Sequence, residues 1–297
     1  MIASLSILIP VHNSVCISLV HSLLQQAVSI EGLRYEILVA DDGSTNEESK
    51  ALNRQINKLP HCRFIERGEN VGRAAIRNYL ASKAQNDYLL FLDSDVRIHR
   101  PDFLLRYLQC EKAEVVHGGY ELQPERTDSV RGNLRYRYEE SCKLQNSVKR
   151  RALHPYKSFK TSNYFIRREI MLACPFDERL RRYGYEDILM GKKFMQQQVE
   201  VKHIDNPVVL YKFDSNAIFL QKTHDALQNL VFLSNEMPGF TQIQRMADKI
   251  VRYKVEIPLL LAYKILQSFI KRHLLGRHPQ IFIYNIYRLC TYLRLRK

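Results

Sequence analysis

Two carboxylates one residue apart, Asp93 and Asp95 around Ser94, follow directly on the apolar run Tyr88 to Leu92 (YLLFL). On an extended chain, residues 93 and 95 lie on the same side. Carboxylates held together repel unless a cation joins them. Hard oxygen donors suit Mg²⁺ or Mn²⁺, and either would bridge phosphates. A second acidic cluster, Asp41-Asp42-Gly43-Ser44, ends the apolar run Tyr35 to Ala40, and Pro10-Val11-His12-Asn13 ends the run over residues 5–11. Asp, Asn, Gly and Ser are also plain turn formers. That reading covers any single cluster well, but two acidic clusters at strand ends less easily.

The elements that must position these clusters follow from periodicity. Continuous apolar runs at 5–11, 35–40, 62–65 and 88–92 predict buried strands. Between them, 14–29, 47–59 and 74–85 carry helical spacing. Such alternation predicts a parallel sheet with right-handed crossovers. Ligands bind such sheets beyond the carboxyl ends of the strands, so the three polar ends form one cleft. Further on, the spacing predicts a helix at 101–108, strands at 113–118 and 161–166, a helix at 187–197, strand character over 199–209 and a helix at 216–233. Residues 121–160 are polar and basic with weak periodicity and read as a helical or loop insertion. From Gln242 the pattern is helical, apolar and basic to the end, after a composition break near Pro238-Gly239.

The chain has 297 residues, of which 45% are hydrophobic and 26% charged. That is globular composition, which excludes wholesale disorder and collagen-like repeats. The formal charge of +14 points to an acidic partner. It is unevenly placed: residues 242–297 hold 12 Lys+Arg against 2 Asp+Glu, a net of +10, which leaves the first 241 residues at +4. A nucleic-acid groove over the whole surface does not fit that asymmetry; one basic appendage does. The six cysteines are scattered without a CxxC pair, so neither a zinc site nor a disulfide framework is expected, and a reducing compartment fits. The first ten residues read as a strand rather than a signal peptide. The apolar stretch Ile257 to Ile270 is interrupted by Lys264 and Gln267, too short and too polar to span a bilayer.

Taken together, Ile9-Pro10-Val11-His12-Asn13, Asp41-Asp42-Gly43-Ser44, Asn70-Val71-Gly72 with Ala75-Ile76-Arg77-Asn78, and Asp93-Ser94-Asp95 resemble the family 2 glycosyltransferases in order and spacing. The resemblance covers roughly residues 4–97 and more loosely extends to about 235. It implies an α/β GT-A (Rossmann-like) fold: a mainly parallel sheet flanked by helices in residues 1–240 (donor half about 1–98, acceptor half about 99–240), then a basic helical extension over 241–297. It implies inverting transfer from a nucleotide-sugar donor, a UDP-sugar foremost, with a divalent metal, Mn²⁺ or Mg²⁺. By the same resemblance Pro10 and His12 line the nucleobase pocket, although many relatives have Tyr at the position of His12, and Asn13 is a donor-binding residue. Asp41 or its neighbour Asp42 accepts a hydrogen bond from the base. Asn70, Gly72, Ser94 and Arg77 bind the donor, Asp93 faces the ribose and the metal, and Asp95 with Asp93 holds the metal. Arg73 reads equally well as a surface residue of a capped helix.

Glycosyl transfer also needs a base for the acceptor hydroxyl. Glu186-Asp187, after the glycine turn Tyr183-Gly184-Tyr185, resembles the family's acidic pair before a helix. That assigns Asp187 as base and Glu186 as an acceptor or positioning contact. Plain N-terminal helix capping is the bland alternative. Thr161-Ser162-Asn163 stands where relatives contact donor or acceptor. Where relatives commonly carry a metal-assisting His after an Asn-Pro-Val segment, this chain has Leu210, with His203 nearby in sequence.

The expected acceptor is a saccharide or lipid-linked hydroxyl in polysaccharide or glycoconjugate synthesis, as in bacterial pathways. Nucleic acid is not an expected partner. The basic, aromatic tail suits an anionic membrane surface, so the expected location is cytoplasmic and peripheral, on the inner face of the membrane. Helices packed on the core with solvated basic faces are the alternative for the tail. For the whole chain the alternatives are a polyprenyl-phosphate sugar transferase, a silent nucleotide-sugar binder and a nucleic-acid-binding α/β protein.

Overall fold

A computed structural model describes residues 1–123 and 128–297. In chain order the elements begin β1 (Ser4–Val11), α1 (Ile17–Val28), β2 (Arg34–Asp41), α2 (Glu47–Arg54) continued by a 3-10 turn, β3 (Cys62–Glu66), α3 (Arg73–Lys83) and β4 (Tyr88–Leu92). Then come β5 (Val96–Arg97), α4 (Phe103–Leu108), β6 (Val115–His117), β7 (Tyr120–Leu122), α5 (Asp128–Arg131), α6 (Leu134–Ser141), α7 (Val148–Leu153), β8 (Asn163–Arg167) and α8 (Arg168–Ala173). The chain closes with α9 (Glu186–Gln196), β9 (Val201–His203), β10 (Val208–Leu210), α10 (Asn216–Phe232), α11 (Gln242–Arg252), α12 (Glu256–Leu275) and α13 (Ile281–Leu295). Part of the insertion expected over 121–160, residues 124–127, lies outside the described residues.

Contacts divide the chain into two compact units. The first comprises 1–123, 143–181 and 186–212. Among its described residues, seven strands form a sheet in the order β3-β2-β1-β4-β8-β6-β9. Strands β3, β2, β1 and β4 are parallel, as their unbroken apolar runs predict. Leu5, Ile7, Leu8 and Ile9 of β1 are completely buried. Strand β8 departs from the parallel expectation, pairing antiparallel to β4 and to β6. The chain reaches β8 at the edge where β4 leaves, with Leu92 opposite Asn163, so it can only run back.

The strand character expected over 199–209 is realised as two strands in two sheets. Strand β9 closes the large sheet beside β6, whereas β10 sits between β5 and β7 in a three-stranded sheet. The break falls at Asn206-Pro207, where proline has no N–H to give a ladder. Asn206 is buried, and its side chain donates to Phe103 O at 2.9 Å.

Among the described residues the second unit comprises 128–142, 182–185 and 213–297. It takes in α10, so the helical part begins at Phe213, before the composition break near 238. The reason lies in packing: Phe219 and Leu220 of α10 share a core with Tyr263, Ile270 and Leu274 of α12 and Tyr284, Tyr287 and Cys290 of α13. Thr223 Oγ1 and Tyr284 Oη lie 2.8 Å apart within it. Helix α11 opens with a capping box between Thr241 and Gln244. The 182–185 stretch is held by Asn229 of α10, whose Nδ2 donates to Arg182 O at 3.0 Å and Gly184 O at 2.8 Å. Among the described residues no helix is long and apolar enough to cross a membrane.

Candidate active site

The site lies wholly in the first unit, where the parallel strands run out at one edge. Register places Val11 beside Asp41 at the ends of β1 and β2. The loop after β2 is built on its own acids. Asp41 is buried and accepts from Ser44 N at 2.9 Å and from the Ser44 hydroxyl. Asp42, also buried, accepts from Val71 N at 2.9 Å and Gly72 N at 3.0 Å. Asp42 thereby satisfies N–H groups at the start of α3, which has no side-chain cap of its own. Gly43 is required here: φ is +65°, and a Cβ would collide with Asn70 N. Gly72 likewise has φ +91°, with Arg181 O 3.3 Å from where a Cβ would stand.

After β1, Asn13 adopts φ 50°, a left-handed conformation that Asn tolerates. Its Oδ1 accepts from Thr45 N at 2.9 Å and Asn46 N at 3.0 Å, which ties the two loops together. His12 Nδ1 lies 2.9 Å from Asp42 O and Nε2 lies 3.1 Å from Asn13 Nδ2. Asn70 Nδ2 is 3.2 Å from His12 Nδ1. His12, Asn13 and Asn70 are exposed and Pro10 is half-buried, so they form a polar ledge open to solvent.

Asp93 is the hub of the charged network. Arg77 Nη2 donates to its Oδ1 at 2.5 Å, and Arg73 Nη2 lies 3.5 Å from its Oδ2. Arg73 Nε donates to Glu186 Oε1 at 2.7 Å. One guanidinium therefore bridges the strand-end acid to the acid that opens α9. Arg77 is 1% exposed and its Nη1 donates to Arg73 O, so it grips Asp93 from within the fold while braced on the helix backbone. Glu186 is buried, whereas Asp187 stands half-exposed, its Oδ2 accepting from Lys160 Nζ at 2.7 Å. A carboxylate has about four lone-pair positions, so Asp187 in this ion pair still has room to accept a further hydrogen bond.

Ser94 and Asp95 form the turn between β4 and β5 and are half-buried. Strand β5 pairs with β10, so Leu210 stands opposite Val96, the residue after Asp95. A buried aliphatic side chain thus occupies the ladder position next to the acid, and His203 is instead buried against His117 and Arg151. Burial lowers the His203 pKa to about 4, which keeps that ring neutral. Among the described residues no three His, Cys, Asp or Glu side chains converge as a cation cage. The donor set still fits Mg²⁺ or Mn²⁺ held by one or two carboxylates, with phosphate and water oxygens completing the shell. Asp95, in the turn after β4, and Asp93, which also accepts from Arg77 and Arg73, are the candidates for such a ligand.

Of the 161–163 segment, Ser162 O accepts from Asp93 N at 3.1 Å and so fixes the turn. Asn163 does not face the cleft. It is completely buried, donates to Gly119 O and Asn206 O, and accepts from Tyr107 Oη at 2.6 Å. Sequence reasoning missed Lys160 altogether and left Arg73 undecided. Lys160 sits in the weakly periodic stretch, and its only signal is that it precedes the strand that starts opposite the end of β4. Cys16 is buried, and that burial pushes its thiol up to about 12, which disfavours the thiolate.

The sequence profile described as Glycosyl transferase family 2 matches residues 6–188. An uncharacterized glycosyltransferase of Haemophilus influenzae is 32% identical over 121 residues, 39% of this chain and 46% of that protein. The match thus spans less than half the length of that curated relative. Among solved structures, residues 1–349 of S. aureus TarS in complex with UDP superpose with TM-score 0.53 at 16% identity, covering 99% of this chain and 90% of that one. The mannosyltransferase PcManGT from Pyrobaculum calidifontis, in complex with GDP-Man and Mn²⁺, gives TM-score 0.60 at 14% identity, covering 98% and 86%. Both likenesses concern the fold.

Proposed function

Because the chain belongs to glycosyl transferase family 2, we propose that it transfers a sugar, with inversion, from a nucleotide-sugar donor to a hydroxyl of a saccharide or lipid-linked acceptor. The observation that carries this reading is the Asp93–Arg73–Glu186 bridge, which brings the acid at the end of β4 to the acidic pair that opens α9. The nucleobase rests on the ledge of Pro10, His12 and Asn13, beside the Asp41–Asp42 loop and Asn70. Asp93 and Ser94 face the ribose. Arg77 acts on the donor through Asp93, which it holds in one orientation from below.

Asp95 would hold a divalent cation, with Asp93 alongside; when bound, the cation supplies positive charge against the leaving diphosphate. Asp187 takes the proton of the acceptor hydroxyl as its oxygen forms the bond to the anomeric carbon. The bond from that carbon to the diphosphate breaks, and the nucleoside diphosphate departs with the electron pair. One displacement inverts the anomeric configuration. Glu186, buried against Arg73, positions α9 rather than touching the acceptor. The UDP and GDP-Man named for the two solved structures set the donor candidates, with a UDP-sugar first. The net +10 of residues 242–297 suits an anionic membrane, where lipid-linked acceptors reside. The six cysteines, scattered without a CxxC pair, suit the cytoplasmic side of it.

A thermal-shift screen of nucleotide sugars, with and without Mn²⁺, tests the donor reading. A cognate donor at a hundred times its Kd stabilises the fold by about 2.7 kcal/mol. For a chain of this size, with an unfolding entropy of about 2.1 cal/mol/K per residue, that raises Tm by roughly 4 °C. The rise is expected to need Mn²⁺. Melting temperatures unmoved by every UDP- and GDP-sugar in both conditions would contradict the reading.

A further inference from the structure

We propose that the outward face of α12 is the element that seats this protein on an anionic bilayer, lying in the plane of the interface. This rests on the membrane reading above and names the surface responsible. Helix α12 buries Tyr263, Ile270 and Leu274 in the helical unit's own core. Its opposite face is apolar as well. Ile257, Leu261, Ile265 and Phe269, each four residues apart, are 65%, 59%, 81% and 66% exposed. Four-residue steps keep side chains on one side of a helix. A helix apolar on both faces is ordinarily covered on both, and a contiguous exposed apolar stripe marks an interaction surface.

Charge selects the occupant. Lys264, Lys271 and Arg272 on the same helix are exposed, and the segment 242–297 carries +10 net. A second copy of the chain would bring like charge against like charge. An anionic phospholipid surface offers both missing complements, acyl chains for the stripe and headgroup phosphates for the cations, which reach them by snorkelling. Among the described residues no helix is long and apolar enough to span, so α12 lies on the membrane rather than across it.

The test uses the full chain and vesicles of phosphatidylcholine alone or mixed with phosphatidylglycerol. The wild type is expected to sediment with the mixed vesicles at low salt and not with phosphatidylcholine alone. The double variant Ile265→Glu, Phe269→Glu changes only exposed positions and is expected to weaken partitioning by more than about a hundredfold. The native chain has no tryptophan. The variant Ile265→Trp therefore carries a lone indole reporter, whose emission should shift to the blue on mixed vesicles and be quenched by brominated acyl chains. If the wild type ignores anionic vesicles, the membrane reading falls and this inference with it. If the wild type binds but the glutamate pair binds equally, or the indole emission of the Ile265→Trp variant is unchanged, α12 is not the seat and only this inference falls. A wild-type dimer dispersed by the glutamate pair, without vesicle binding, would assign the face to a second copy instead.

Discussion

Asp187→Asn is expected to lower kcat by roughly a thousandfold, the middle of the range for a lost general base, while the donor binds as before. The amide has the size of the carboxylate, and its one oxygen keeps one of the two contacts the carboxylate accepts, from Lys160 Nζ at 2.7 Å or from Ile188 N at 2.8 Å. What it loses is the capacity to take a proton from the acceptor hydroxyl. The loss should therefore appear in kcat and in kcat/KM alike, since the missing interaction exists only in the transition state. Initial rates with saturating donor, alongside donor-induced thermal shifts of the variant, make the measurement. A fall of less than about tenfold would remove Asp187 from the role of base. Loss of donor binding would instead make Asp187 a positioning group.

Asp95→Ala is the second large effect. Charge stabilisation of a leaving diphosphate is worth several kcal/mol, and about 4 kcal/mol corresponds to roughly a thousandfold in rate. The variant should also lose the Mn²⁺-dependent part of the donor's thermal shift. Activity alone would not separate a binding loss from a chemical one. The Mn²⁺-dependent shift does: if it survives in Asp95→Ala, the carboxylate does not hold the cation.

The donor half was legible because its physics is local. Apolar runs such as LSILIPV fix buried parallel strands, and the polar residues that end them fall together at one sheet edge. The structure adds what those acids do within the fold itself. Asp41 and Asp42 hold backbone N–H groups, and Asp93 is gripped by a buried arginine. Lys160 and Arg73 escaped sequence reasoning because their roles come from residues 27 and 113 positions away in the chain. Such spacing has no periodic signature. The split of 199–209 into two strands turned on Asn206-Pro207, a breaker visible in the sequence whose consequence needed the second sheet to be known. In the helical unit, spacing foretold helices but not which faces pack. An apolar residue looks the same in sequence whether it is buried, like Tyr263, or bare, like Ile265.

The central claim is that acids at neighbouring strand ends hold a sugar-bearing diphosphate through a divalent cation. Crystals grown with a nucleotide sugar and Mn²⁺, with diffraction collected at the manganese edge, test it most directly. The expected result is an anomalous peak within coordination distance of Asp95 and of the diphosphate oxygens, with the base on the His12 ledge. Donor bound in that cleft with no peak beside Asp95, or donor bound elsewhere, would contradict it.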